Sequence, residues 1–148
     1  IPLQHVAYRG SVPAIADLIG GQVAATLPPT GDALANYKAG KIRLLATSGA
    51  KRTPFTPDVP TLAETGFAEL TTEEWFGFYA PARTPAPVVA AANAAIQTAL
   101  KERNVIDSLA TFGLVAQGST PEQMAQSQQR EFLRWGPLVK KTGFTAES

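Results

Sequence analysis

The sequence contains no cysteine and a single histidine, His5. Without cysteine the chain forms no disulfide bond and offers no thiolate as a metal ligand or nucleophile. A site with several histidine ligands is excluded, and a Ser–His–Asp triad would have to be built around His5. The other polar side chains show no metal-ligand or nucleophile–base spacing. We therefore expect no metal, no cofactor and no catalytic residues, and we do not expect an enzyme.

An excess of charge of one sign and long apolar runs are also missing. The chain has 13 Lys and Arg against 12 Asp and Glu, for a net charge of +1. This near-neutral balance gives no electrostatic basis for binding nucleic acid or an anionic membrane surface. No apolar run approaches the roughly 18 residues of a membrane-spanning helix. With 148 residues, 45 % of them hydrophobic, the composition is that of a folded globular domain.

The first 48 residues show the pattern of a β-α-β-α-β series. Short connections between such elements imply parallel strands with helices packed on the sheet. Ser11 is expected to cap the first helix, and Gly20 to end it. The predicted strands cover residues 3–8, 23–27 and 42–48, and the predicted helices cover residues 12–20 and 31–39. The inward face of the first helix is predicted to contain Val12, Ile15, Ala16 and Ile19.

The second part of the chain has a different character. Residues 49–66 are rich in proline and turn-forming residues, which predicts an irregular surface segment. A strand is predicted over residues 71–82 and a helical region from Thr84 on. Thr120 with Gln123 forms a capping box that opens the last helix, which ends near Gly143. The core side of that helix is predicted to contain Met124, Gln128, Phe132, Trp135 and Val139.

Five sequence blocks follow one another in order: VAYRGSVPAIADLIGGQV, YKAGKIRLLATSGAKR, PDVPTLAETGF, EWFGFYAPARTP and GSTPEQMAQSQQREFLRWGPLVKKTG. In this order they resemble the receptors of tripartite tricarboxylate transporters, the Bug-type periplasmic solute-binding proteins. The resemblance covers essentially the whole chain. It implies an α/β fold of the type II periplasmic-binding-protein class, in which two lobes enclose a ligand cleft.

Because family members are much longer, the resemblance implies that this chain holds the C-terminal half of the fold. Residues 1–50 would then form the later part of lobe two, residues 51–70 an irregular crossover segment, and residues 71–148 the closing part of lobe one. We expect few contacts between the two groups and an incomplete cleft. Apolar faces left exposed would favour a dimer or a swapped assembly.

The resemblance also implies a ligand-binding loop at the start of the first helix. The family has a tyrosine, a basic residue and a glycine at the positions of Tyr8, Arg9 and Gly10. Gly10 would let a ligand approach the backbone, and Ser11 would cap the helix or turn its hydroxyl to the ligand. Amides around Gly10, Ser11 and Ala14 would bind a carboxylate at the positive end of the helix. The alternative is that Gly10 and Ser11 only mark an ordinary helix start, with Tyr8 in the core and Arg9 in solvent.

A second candidate segment follows residues 23–27. The family has an aspartate where this chain has Pro28, and this departure removes an acceptor for a ligand amino group. It argues against amino-acid ligands and leaves Thr30 and Gly31 as polar contacts. Asp32 is expected to cap the second helix. A rigid proline turn without a ligand role is the alternative.

The third candidate is the predicted strand around Phe76 and Gly77, which in the family re-enters the first lobe near the cleft. Phe76 would form part of an apolar wall, and Gly77 would allow close approach. An aromatic residue on a strand is also typical of a core position, which is the alternative interpretation.

The function implied by the resemblance is capture of a small organic carboxylate in the periplasm and its presentation to membrane transporter subunits. The chain shows no signal peptide, so the periplasmic location rests on the resemblance. One alternative is the ligand-sensing domain of a regulator with the same fold, although no DNA-binding segment is visible. Another is an enzyme that uses Tyr8, Arg9 and carboxylates such as Glu73 or Glu74, although no pair has motif spacing.

Overall fold

The computed structural model describes residues 4–143, which form two compact units. The first unit contains the residues up to Phe76 together with Arg103–Ala116, and the second contains Gly77–Glu102 and the residues from Gln117 on. Five α-helices lie in the described range: α1 (Ser11–Ile19), α2 (Thr30–Lys38), α3 (Ala86–Ala99), α4 (Arg103–Thr111) and α5 (Pro121–Thr142). A short 3-10 helix covers Ala68–Leu70.

The predicted helices are confirmed to within a residue or two at their ends. The capping box of α5 is present, because the Thr120 Oγ1 accepts from the Gln123 amide and the Gln123 side chain accepts from the Thr120 amide. The predicted cap of α1 is wrong. Gly10 is the N-cap residue without a side-chain hydrogen bond, and Ser11 is already helical. Helix α4 belongs to the first unit, although it was expected to group with the C-terminal helices.

The predicted strands do not pair into a sheet within residues 4–143. An isolated parallel bridge joins Thr47 and Thr61, with the Thr47 amide 2.9 Å from the Pro60 carbonyl oxygen. The segments 4–7, 23–27 and 42–46 find no backbone partner among the described residues, and Leu3 lies outside them. A strand needs a neighbour that offers donors and acceptors at the matching spacing, and local sequence does not supply one. The expected parallel sheet is therefore not formed here.

The core of the first unit lies between α1 and α2, which are in contact. Its buried members on these helices are Ala14, Ile15, Ala33 and Leu34. The predicted inward face of α1 is correct only for Ile15, because Val12 is 76 % exposed and Ile19 is 45 % exposed. Helical periodicity identified an apolar face, but the side of α1 that α2 covers is rotated from it.

Helix α2 begins directly against the end of α4. A Cβ atom built on Gly31 would lie 1.9 Å from the carbonyl oxygen of Phe112, and one built on Gly113 would lie 2.8 Å from the Gly31 nitrogen. These distances are shorter than any real Cβ contact, so both positions require glycine for the two backbones to meet. Gly31 is therefore a packing residue, and its predicted role as a polar ligand contact has no support in this geometry.

An ion pair fixes the irregular segment after residue 48. The Arg52 Nε donates to both Glu64 carboxylate oxygens at 3.0 Å, and the Arg52 Nη1 donates to the Pro57 carbonyl oxygen at 3.1 Å. The Glu64 Oε2 also accepts from the amide of Thr61, the bridge residue, at 2.7 Å. The hydrogen bond from Arg52, followed by that from the Thr61 amide, lowers the pKa of the Glu64 carboxyl.

In the second unit, α3 holds the segment that leads into α5. The Asn93 Nδ2 and the Gln97 Nε2 both donate to the Ser119 carbonyl oxygen at 2.9 Å. The predicted core side of α5 is largely exposed: Phe132 is 76 % exposed and Trp135 is 43 % exposed. The Trp135 Nε1 donates to the Glu131 Oε2 at 2.5 Å, so the polar end of the indole is satisfied along its own helix. The assignment of Trp135 to a core is therefore wrong for this unit.

We predict that Gly31→Ala destabilises the chain, because the new methyl group would overlap the Phe112 carbonyl and push α2 away from α4. Overpacking of this kind costs about 1–3 kcal/mol. The matched control is Gly136→Ala in α5, where a Cβ meets no atom within 4 Å. In that helix the substitution should be neutral or stabilising by about 0.5–1 kcal/mol. Urea unfolding measures both, and equal effects of the two substitutions would contradict the close contact.

We predict that Glu64→Gln lowers the free energy of unfolding at neutral pH but not in acid. The carboxylate has a lowered pKa in the folded chain, so its contribution is fully present above the usual value of 4.5. That contribution is lost as the pH falls through the lowered folded-state value. Urea unfolding at about pH 7 and at intervals down to about pH 3 should show the wild type converging on the variant. Glu69→Gln, which removes an exposed carboxylate of the same unit, is the control and should show less convergence.

Candidate functional site

The loop from Tyr8 to Ser11 leads directly into α1. Gly10 has φ 95° and ψ 175°, a conformation that only glycine adopts without strain, and open space surrounds the position of a Cβ atom. Apart from the two chain neighbours, no atom lies within 4 Å of that Cβ position. The backbone angle requires glycine at this position, and it turns the chain into the first helical turn. The predicted approach of a ligand at Gly10 stays a prediction.

The first turn of α1 presents the amides of Gly10, Ser11 and Val12. Pro13 has no N–H group, and helix geometry pairs the amide of Ala14 with the Gly10 carbonyl oxygen. Ala14 is also 6 % exposed. The proposed donor role therefore fits Gly10 and Ser11 better than Ala14, whose amide is paired and whose side chain is buried. Unpaired amides at the positive end of a helix suit a carboxylate.

Tyr8 is fixed along the side of α1. Its hydroxyl donates to the Asp17 Oδ2 at 2.7 Å, and this hydrogen bond, with a smaller effect of desolvation, raises the pKa of Tyr8 above 10.0. Tyr8 is half-buried. Arg9 is exposed and forms no ion pair with a residue in the range 4–143. Of the two side chains, Tyr8 is held in place by the fold and Arg9 extends into solvent.

A side-chain hydrogen bond joins the N-termini of α1 and α2. The Ser11 Oγ donates to the Oδ2 of Asp32, which lies in the first turn of α2. The expectation that Asp32 caps α2 is wrong, because Pro29 is the N-cap residue and α2 has no side-chain cap. Thr30, the first residue of α2, is half-buried. The structure thus brings the Tyr8–Ser11 loop to the start of α2.

Two hydrogen-bond acceptors of the predicted site residues were not identified as such from the sequence. Asp17 and Asp32 each accept a hydrogen bond from a predicted site residue across 9 and 21 positions of the chain, respectively. Spacing gives no signal for the second pair, because it depends on how α1 packs against α2.

The third predicted segment is divided between the two units. Phe76 is the last residue of this part of the first unit and is 72 % exposed, and Gly77 begins the second unit. Their role in ligand binding stays a prediction.

A separate cleft of about 240 Å³ lies in the first unit. Its lining is apolar and consists of Pro54, Phe55, Ile106, Ala110, Leu114, Val115 and Ala116. No charged or hydroxyl side chain lines it, so it offers little that would recognise a carboxylate.

Within residues 4–143, no three or more His, Cys, Asp or Glu side chains cluster in a way that would hold a metal ion. Among the same residues, no helix combines the length and the apolar character that crossing a membrane requires.

The chain is similar to solved periplasmic binding proteins. Against Rpa4515 of R. palustris with adipate, the TM-score is 0.78 at 33 % identity, covering 93 % of this chain and 46 % of that one. For MatC (Rpa3494) from Rhodopseudomonas palustris with bound malate, the TM-score is 0.73 at 34 % identity. The match covers 90 % of this chain and 47 % of MatC. For the periplasmic binding protein BugD, the TM-score is 0.73 at 27 % identity. The match covers 97 % of this chain and 48 % of BugD. The chain therefore has part of the two-lobe α/β fold of this class.

Residues 1–144 match the family described as the tripartite tricarboxylate transporter family receptor. BugT of Bordetella pertussis is 34 % identical over 141 residues, which are 95 % of this chain and 43 % of BugT. The chain belongs to the tripartite tricarboxylate transporter receptor family, as the sequence blocks predicted. It spans about half the length, or slightly less, of these relatives.

We predict that the pKa of Tyr8 lies above 10.0, because its hydroxyl donates a hydrogen bond to the Asp17 carboxylate. An alkaline titration followed by tyrosinate absorbance, with Tyr8→Phe subtracted, isolates its curve. Asp17→Asn should move that curve down toward the ordinary value, since the carboxylate no longer disfavours the phenolate. Asp107→Asn removes a carboxylate elsewhere in the same unit and should leave the curve in place. An unchanged curve in Asp17→Asn would contradict the hydrogen bond.

Proposed function

We propose that this chain serves in a periplasmic receptor that captures a small organic carboxylate and presents it to the membrane subunits of a tripartite tricarboxylate transporter. One observation carries the proposal: the open space at the Gly10 Cβ position, next to the amides that open α1. Membership in the receptor family and the adipate and malate bound to similar proteins support it. The location and the transporter partner follow from the family alone.

The proposed binding mode uses the backbone more than charged side chains. One ligand carboxylate would accept from the amides of Gly10 and Ser11, where the helix end contributes roughly half a positive charge. The open space at the Gly10 Cβ position is what such an approach requires. Tyr8, held by Asp17, would form one wall, and Thr30 and Arg9 would lie at the edge. On the return segment, Phe76 is proposed as part of an apolar wall and Gly77 as a position that allows close approach.

We propose a receptor and not an enzyme, because the matched family is one of solute-binding receptors. The two hydroxyl–carboxylate pairs of the site, Tyr8–Asp17 and Ser11–Asp32, have no third group that orients them among the described residues. Ligand capture needs only differential binding between open and closed states of the cleft. This chain contributes the α1 side of that cleft, so we expect it to bind a carboxylate alone only weakly, at about millimolar dissociation constants.

We predict that Gly10→Val abolishes carboxylate binding by this chain. The branched side chain would occupy the ligand's approach and is strained at φ 95°. The measurement is the shift of the amide NMR signals of Ser11, Val12 and Ala14 on titration with adipate or malate. Gly66→Val is the matched control, because Gly66 has φ 96° and also meets no atom within 4 Å of a Cβ position. It introduces the same strain in the same unit and should leave binding intact.

Two outcomes would contradict the proposal. Unchanged titration curves in Gly10→Val would remove the loop from the site. Micromolar binding by the wild-type chain would show that the site does not need the other lobe. Capture by two closing lobes would then have to be abandoned.

A further inference from the structure

The described part of the second unit has no buried residue. Every side chain in residues 77–102 and 117–143 is exposed or half-buried, whereas the buried core positions belong to the first unit. Ordering a helix costs conformational entropy, which is normally offset by burial of an apolar face. Helices α3 and α5 are therefore ordered without a core of their own.

Helix α5 needs such a face more than α3 does. Its ends are well capped, by Thr120 at the start and by Gly143 in the left-handed conformation at the end. Its interior, however, contains Pro137, which cannot donate an intrahelical hydrogen bond, and Gly136, which disfavours a helix. Local preferences alone do not hold 22 residues of this composition in a helix, so we look for a surface that packs on it.

One side of α5 is apolar and uncovered. Helical spacing places Phe132, Trp135, Leu138 and Val139 on that side, and each of them is at least 41 % exposed. We call these four side chains the apolar stripe of α5. From the sizes of the side chains, the stripe exposes roughly 400 Å², which is in the range of patches that form interaction sites.

We propose that the apolar stripe docks against the same stripe of a second copy of this chain, with the two α5 helices antiparallel. A stripe along one helix is complementary to itself about a two-fold axis perpendicular to that helix. With the axis beside Phe132, Met124 of one copy would lie opposite Val139 of the other, and Gln128 opposite Trp135. This inference concerns the second unit and does not rest on the proposed function.

The charges of α5 favour the antiparallel orientation. Glu122 lies in the first turn, and Lys140 and Lys141 lie in the last. Antiparallel helices bring each pair of lysines near the acidic start of the other copy, whereas parallel helices would place four lysines side by side. A net charge of +1 leaves little overall repulsion between two copies.

The area of the stripe fits a small dimer interface. A stable interface buries roughly 800 Å² on each partner, of which somewhat more than half is apolar. The stripe supplies roughly 400 Å² of apolar surface, and the polar side chains along its two edges would supply the rest. We therefore expect dissociation in the micromolar range.

The test is the mass of the full chain in solution, measured by sedimentation equilibrium from about 1 µM to about 200 µM. We expect a monomer at the low end and a dimer at the high end. Hydrogen exchange of the α5 amides should slow by at least about tenfold between the two concentrations, because docking stabilises the helix.

The variant that tests the stripe is Phe132→Asp, which should weaken the dimer by at least about tenfold. Leu133→Asp is the matched control. Leu133 is a 64 % exposed apolar residue of the same helix, but it lies on the side away from the stripe, so its substitution should leave the dimer intact. Equal weakening by both variants would place the contact elsewhere and overturn the proposal.

A second variant tests the orientation without touching the stripe. Replacing both Lys140 and Lys141 by glutamine should weaken an antiparallel dimer by about threefold at low salt, since the attraction to Glu122 is lost. A tighter dimer would indicate parallel helices and would contradict the proposed orientation.

A wild-type chain that stays monomeric at every concentration overturns the proposal. Protected α5 amides in that monomer would mean that the chain covers the stripe itself. Unprotected amides would assign the stripe to another occupant, such as the additional length of the relatives.

Discussion

The candidate site depends on a contact between two backbones. The start of α2 lies against the end of α4 so closely that neither Gly31 nor Gly113 has room for a Cβ atom. This contact fixes where α2 begins and hence where Asp32 stands. The Ser11–Asp32 hydrogen bond then links that helix start to the bare loop at Gly10. A packing constraint about 80 residues along the chain from Gly31 thus sets the distance between two helix ends.

Local signals predicted the helices well, because their causes are local. The capping box at Thr120 and the glycine at the end of α5 act within one turn of chain, and both are observed. The strands were not predictable in the same way. A strand exists only if another segment pairs with it, and residues 23–27 and 42–46 find no partner in the described range. Their pairing depends on residues far from them, which the local sequence pattern does not contain.

The same distinction explains the site. A loop with glycine directly before α1 could be inferred from the sequence, because Gly10 precedes the predicted helix. The two hydrogen bonds to Asp17 and Asp32 could not, because each depends on packing that single-residue preferences do not encode. Gly31 has a packing role that its position in the sequence did not indicate. Its position suggested a ligand contact, but the space beside it is filled by the Phe112 backbone.

At the proposed site, affinity and selectivity would have different origins. Hydrogen bonds at an exposed helix end compete with water, so they contribute strongly only when atoms on the far side of the ligand exclude solvent. Selectivity between ligands of equal size is the difference between their binding free energies, and the solvent contribution common to both cancels in that difference. It depends on the single group that the differing ligand atom meets.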